Sequence, residues 1–340
     1  MSVTITQLEP AARKTRARAL SLVLVAKSAP FLDIPAELGL EILELGLTHT
    51  PFSTLAVVSK TFHSLISTIL YRHVVLDSVE TLSLFARTVK SKSQHFLDAH
   101  IKTLAVTIEP WSFTSAKRIE LEGTLASCTG LHTLFIPLPG ILIKPLSRHP
   151  LHRALPSEVT IQSFDTAPLF EWDSGISAPA AHLSSSLTHL RISEPGDTWH
   201  SPLSILEFFG STPHLTHFAL ARRMDANIEN DQVFVDEMCT LLASRPNLKM
   251  LVVRIFPSQW PRYIDENVSP SSSSIWEALS IVAEADQRVV LVAAGLDGPD
   301  DTVFWANVRT SYAVRPDGLF NFWERSRIEW ETQSTPDLEA

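Results

Sequence analysis

Side chains able to do bond chemistry are plentiful in this chain, but they do not fall into any spacing that chemistry needs. There are 13 histidines, 37 carboxylates, two cysteines and only 11 glycines. A hydrolytic zinc site would need paired histidines at HExxH spacing, a serine nucleophile a GxSxG elbow, and a thiol redox pair CxxC. None of the three is present. A Gly-rich phosphate cradle is also missing, which excludes both common nucleotide-binding fingerprints. His132, His189 and His217 fall at variable positions of a repeat described below, and alternation along a strand predicts that they are exposed on a sheet face rather than gathered into a site. Asp297, Asp300 and Asp301 form a small acidic group beside Gly298 and Pro299. Such carboxylates suit a cation, but a turn leading into a helix capped by Asp300 or Asp301 accounts for them more simply. Cys128 and Cys239 are too far apart in sequence for a zinc or disulfide framework and point to a reducing compartment. The sequence therefore predicts no catalytic residue, no cofactor and no metal ligand set.

Composition places the chain among globular rather than disordered proteins, and its charge argues against a nucleic-acid or membrane role. Of 340 residues, 45% are apolar and 19% charged, and the formal net charge is −9. That sign argues against anionic partners such as nucleic acid or a lipid surface. Arg13, Lys14, Arg16 and Arg18 precede an apolar stretch from Ala19 to Ala26, which at eight residues is too short to span a bilayer. Residues 1–30 are read as a flexible basic lead-in, and the compartment as cytoplasmic or nuclear.

The elements that would position any site emerge from a repeat. Apolar residues recur at offsets 0, 3 and 5: Ile101, Leu104, Val106; Leu131, Leu134, Ile136; Leu187, Leu190, Ile192; Leu215, Phe218, Leu220; Leu248, Leu251, Val253. Intervals near 30 residues, with one double interval, imply a further degenerate unit near Val159 to Phe164. Turns precede four of the units, at Cys128-Thr129-Gly130, Ser184-Ser185-Ser186, Thr212-Pro213-His214 and Arg245-Pro246-Asn247. Helical patterns at Leu203, Leu206, Phe209 and at Val235, Met238, Leu241, Leu242 precede two of these turns. Helix, turn and short strand, repeated, predict strands stacked in one parallel sheet with Leu104, Leu134, Leu190, Phe218, Leu251 and Leu291 in a shared core row. Ala105, Phe135, Arg191, Ala219, Val252 and Val292 should point to the other face. Segments 137–182 and 257–274 read as loops, and the aromatic stretch from Phe304 through Phe320, Phe322, Trp323 and Trp330 as a cap over the last unit.

Ahead of the repeat, Ile34-Pro35-x-Glu37-Leu38, Ile42-Leu43, Val58-Ser59-Lys60-x-Phe62 and Leu70-Tyr71-Arg72 follow one another in order. Pro35 suits a first helical position, and Leu38, Ile42 and Leu45 recur on one helical face. Thr50-Pro51 breaks that helix, and Phe62, Leu65, Ile66, Ile69 and Leu70 mark another. In order and spacing, residues 31–76 resemble an F-box, with Ile34, Ser59 and Phe62 standing where Leu, Cys and Trp are usual. Residues 77–295 resemble leucine-rich repeats of irregular form that lack the usual Asn after each strand, and residues 296–340 make the cap and tail. Together these features resemble the F-box proteins expanded in mushroom-forming fungi.

The fold class implied is α/β: a three-helix F-box module, then a leucine-rich-repeat-like solenoid with a parallel sheet. The function implied is that of a substrate receptor in an SCF-type ubiquitin ligase, binding a Skp1-like adaptor and through it a cullin, and holding an unknown protein substrate. Ile34, Pro35, Leu38, Ile42, Leu43, Val58 and Phe62 would contact the adaptor, with Glu37 and Lys60 at the rim. A repeat scaffold with no ubiquitin role, and an enzyme with an unrecognised site, are the alternatives the residues leave open.

Overall fold

The computed structural model describes residues 35–47, 49–50, 54–55, 57–108, 112–137, 155–164, 185–257, 269–294 and 322–334. Eight strands form one sheet in chain order, and every neighbouring pair is parallel. They are β1 (His73–Leu76), β2 (Thr103–Val106), β3 (Thr133–Ile136), β4 (Glu158–Ser163), β5 (His189–Glu194), β6 (His217–Arg223), β7 (Met250–Phe256) and β8 (Val289–Ala293). Parallel neighbours require a crossover, and helices supply it wherever the connection is described. α3 (Val79–Ser91) and α4 (Gln94–His100) join β1 to β2, and α5 (Ser115–Ser127) joins β2 to β3. Later, α6 (Pro202–Phe209), α7 (Ile228–Ser244) and α8 (Ser274–Ala285) lead into β6, β7 and β8. Among the described residues, α1 (Ala36–Leu47) and α2 (Lys60–Arg72) precede the sheet, and α9 (Phe322–Ser334) follows it.

Local chemistry sets the helix starts. Ser59, Ser78, Ser93, Thr114, Ser201, Asn227 and Ser273 each accept a hydrogen bond from a backbone N–H of the first turn, satisfying donors that the helix cannot pair itself. Entry to the strands is equally regular. The same backbone turn closes before β3, β6, β7 and β8, from Leu131 N to Cys128 O, Leu215 N to Thr212 O, Leu248 N to Arg245 O, and Val289 N to Asp286 O. Gly130 is obligatory in the first of these turns, since a Cβ there would lie 2.0 Å from the carbonyl oxygen of Asp98 in α4. Gly210 ends α6 at φ 69°, where a side chain is disfavoured.

The predicted core row is present. Val74, Leu104, Leu134, Val159, Leu190, Phe218, Leu251 and Val289 pair successively across the sheet. Except for Val74, which is partly buried, they are buried with Leu82, Phe85, Leu121, Phe209, Met238 and Leu279 of the helices in one continuous core. The degenerate unit implied by the doubled interval is β4, which falls inside the segment 137–182 read as a loop. Leu291 needs a correction, because it pairs with Val253, and Val289 takes the place opposite Leu251. In this last unit the turn runs straight into the strand, and Leu251 N already bonds to Arg288 O. A shift by two residues keeps the same face, so Leu291 is still in the core. Val292 is likewise displaced in register and lies opposite Arg254, while Ala105, Phe135, Thr160, Arg191, Ala219, Val252 and Val290 make the second-face row. Pro270–Ser272 and the start of α8 occupy the end of the segment 257–274.

Candidate functional site

Two places on the molecule combine exposure or polarity with defined geometry. The first is the surface of α1. Leu38, Ile42 and Leu45, spaced to share one helical face, are 52%, 51% and 65% exposed, and Val58 in the turn before α2 is 61% exposed. Val57 beside it is also exposed. Leu43 points the other way and is only 3% exposed, Ile66 of α2 is fully buried, and these two helices pack together. An amphipathic helix normally turns its apolar stripe inward. α1 has apolar residues on both sides: Leu43 is buried, while Leu38, Ile42 and Leu45 are half or more exposed.

Of the residues expected to contact an adaptor, Ile34 lies outside the described residues. Pro35 is exposed at the start of α1, where its carbonyl accepts the Gly39 N–H at 3.0 Å. Leu38, Ile42 and Val58 are on the exposed surface, Phe62 is half-buried in the first turn of α2, and Leu43 is turned inward. Lys60 is exposed at the start of α2. Leu45 and Val57 belong with the exposed set by position. The spacing of Leu45 from Leu38 and Ile42 was the signal that joins it to them.

This unit is joined to the sheet without a linker. α2 ends at Arg72 and β1 begins at His73, so the last four residues of the stretch 31–76 form the edge strand of the sheet. Arg72 O accepts the Lys102 N–H at 3.1 Å, and the Tyr71 ring meets Phe96 of α4 edge-on at 5.3 Å.

The second place is on the sheet face opposite the core helices. His73, Thr103, Thr133, Glu158, His189, His217 and Met250 are successive partners along one row. His189 and His217 stack with ring centroids 4.2 Å apart, and each Nδ1 lies 2.9 Å from the hydroxyl of the preceding threonine, Thr188 or Thr216. The Thr133 hydroxyl donates to Glu158 at 3.1 Å. Trp323 of α9 approaches both histidines, at 5.5 and 5.3 Å, and Phe322 lies over Arg191 with 3.7 Å from its Cζ to the ring centroid. The histidines were expected to be exposed. His132 is, but His189 and His217 are half-buried beneath Trp323.

Burial dominates the electrostatics here. It lowers the His217 pKa to about 4, with help from His189, Lys249 and Arg327, and lowers His189 and His73 as well, His73 also to about 4. Burial raises Glu158 against the opposing pull of Thr133, Trp323 and Arg191, and it lowers Arg191. These histidines are neutral at neutral pH. They carry no charge to give a substrate, and Glu158 already accepts from Thr133.

A groove of about 290 Å³ opens at the C-terminal ends of β5 and β6, between the stretch Pro195–His200 and Asp225. Its wall is fixed by Arg222, whose Nε and Nη2 donate to Asp231 Oδ1 at 2.9 and 2.6 Å and whose guanidinium lies over the Trp199 ring at 4.3 Å. Among the described residues no group of three or more His, Cys, Asp or Glu is arranged to hold a metal ion. Cys128 is buried and Cys239 exposed, both as free thiols. No described helix is long and apolar enough to cross a membrane. Asp297, Asp300, Asp301 and residues 1–30 lie outside the described residues. No protein-family model matches the chain, and no curated protein matches it in sequence.

Proposed function

We propose that this protein is the substrate-recognition subunit of an SCF-type ubiquitin ligase, with residues 31–76 as the F-box, a Skp1-like adaptor bound on α1, and a protein substrate held by a leucine-rich-repeat-like solenoid. The observation that carries this reading is the exposed apolar surface of Leu38, Ile42 and Leu45 on a helix whose other side carries the buried Leu43, with Val58 exposed in the turn before α2. Fully burying an aliphatic side chain stabilises by roughly 1.5–3 kcal/mol, so four that are about half exposed leave on the order of 4 kcal/mol for a partner to recover. That is a specific helical patch, contiguous with the motif residues. The ordered parallel ladder behind it supports a repeat architecture in which each unit contributes one strand and each described crossover a helix.

In this role the chain does no bond chemistry. It raises the concentration of a target lysine near a ubiquitin-charged enzyme, a rate effect that needs no catalytic residue. The test is co-expression with a Skp1-like adaptor followed by size-exclusion chromatography. A stable one-to-one complex that also recruits a cullin supports the ligase reading. Complex formation without cullin points instead to a scaffold outside any ligase, and no complex with an adaptor removes both.

A further inference from the structure

The sheet has two faces, and the helices of the crossovers cover one. Among the described residues, the helix that packs on the other is α9, which follows β8 only after residues 295–321. Its seat is mixed in character. Phe322 is buried against Ala219, Met250, Val252, Val290 and Val292, with Trp323 packed at the margin. The same two rings cover Arg191 and the stacked pair His189 and His217. Further along, Trp330 reaches Trp276 of α8 at 6.3 Å, past β8.

The main core does not depend on this helix: it is built from the other side of the strands and from α3 to α8, with only Trp330 touching its margin. Docking α9 gains apolar burial on β6 to β8 but strips solvent from a guanidinium, a carboxylate and two imidazoles, all of whose charged forms are disfavoured there. The two effects oppose each other. No described strand is continuous with α9, since residues 295–321 stand between it and the described end of the last unit. We infer that this face of β5 to β8 is a binding surface for a helical protein segment with adjacent aromatic side chains, and that α9 occupies it in cis until a partner's segment of that chemistry displaces it. The inference stands apart from the adaptor reading, since it concerns neither α1 nor a ligase.

The probe is a fluorescein-labelled peptide of residues 322–334, titrated by anisotropy into the full chain and into its Phe322→Ala/Trp323→Ala variant. A tethered helix competes at an effective concentration on the order of millimolar. The unmodified chain should therefore bind the peptide at least tenfold more weakly than the variant, and adding Arg191→Met to the variant, which removes the guanidinium that docking strips of solvent, should tighten binding several-fold. A variant that unfolds cooperatively yet shows no saturable binding, or equal binding by both chains, overturns the inference. Should the variant fail to fold, hydrogen exchange on the unmodified chain decides. Amides of α9 exchanging at least a hundredfold faster than those of β6 and β7 support a displaceable helix, and equal protection makes it an integral part of the fold.

Discussion

Replacing Leu38 by Asp separates binding from folding, because the structure places this residue at the third position of α1 with half its surface exposed. In the free chain the change loses about half of one leucine's burial, roughly 1 kcal/mol. Lower helix propensity costs about 0.5 kcal/mol, but a carboxylate in the first turn regains about 0.3–1 kcal/mol from the helix dipole. The net effect on stability is about 1 kcal/mol or less. Within an apolar interface the same carboxylate is buried without a partner and costs several kcal/mol, or about a thousandfold in affinity. Leu43→Asp is the counterpart. At 3% exposure it buries its charge between α1 and α2 in the free chain, so it should unfold the helical pair whether or not an adaptor is present. Adaptor affinity by calorimetry and helix content by far-ultraviolet dichroism give the two readouts. If Leu38→Asp binds the adaptor as well as the native chain does, or if it melts the helices as Leu43→Asp does, the assignment of the exposed face as the docking surface is wrong.

Three further outcomes follow from other sites. Asp231→Ala leaves Arg222 buried without the carboxylate oxygen that accepts from both its Nε and Nη2 and should cost about 3–5 kcal/mol in urea unfolding, while Arg222→Met/Asp231→Leu recovers most of the loss. His73 and His217 both have folded pKa values near 4, below the unfolded value near 6.5, so only the unfolded chain gains their protons between these limits. Stability should therefore be intact above pH 6.5 and fall as pH drops toward 4, by on the order of 1 kcal/mol per histidine after solvent screening; a urea midpoint that stays flat over this window contradicts it. Gly130→Ala forces a methyl into the Asp98 backbone and should lower stability by about 1–3 kcal/mol, read as a reduced thermal midpoint, with no loss if the turn can shift freely.

The strands were legible because two local rules agree at each of them. A turn fixes where a strand begins, and alternation fixes which residues enter the core, so Leu104, Leu134, Leu190, Phe218 and Leu251 could be aligned from spacing alone. The last unit departed because its turn, closed by Asp286 O and Val289 N, ends on the first residue of β8, whereas β6 and β7 begin two positions past the closing residue of their turns. The histidine stack was within reach: His189 and His217 both sit two residues past the first apolar position of their units, and equal offsets in successive repeats become neighbours across a sheet. What alternation could not supply was the cover. The aromatic stretch through Phe322, Trp323 and Trp330 was expected to cap the last unit, but spacing gave no sign that it reaches back over His189 and His217 of β5 and β6. The Arg222–Asp231 pair was invisible for a related reason, since its partners join the end of a strand to the start of the next helix.

The junction at Arg72 and His73 bears on how an adaptor of this shape would work. Effective concentration depends on geometry: a target held at a fixed distance and angle gains more than one held on a loose tether, because less orientational freedom is lost at the moment of reaction. Here the second helix of the proposed docking unit passes directly into the first strand, and the ladder that begins with Val74 opposite Leu104 continues through six more strands. Tyr71 packed on Phe96 and Lys102 bonded to Arg72 fix the same joint from α4 and the approach to β2. A segment held on the far face of β5 to β8 would thus keep one orientation relative to whatever sits on α1. On the proposed reading the sheet would act as a spacer of set length and twist, and the placement of a target lysine would follow from the number of strands between the two proposed surfaces.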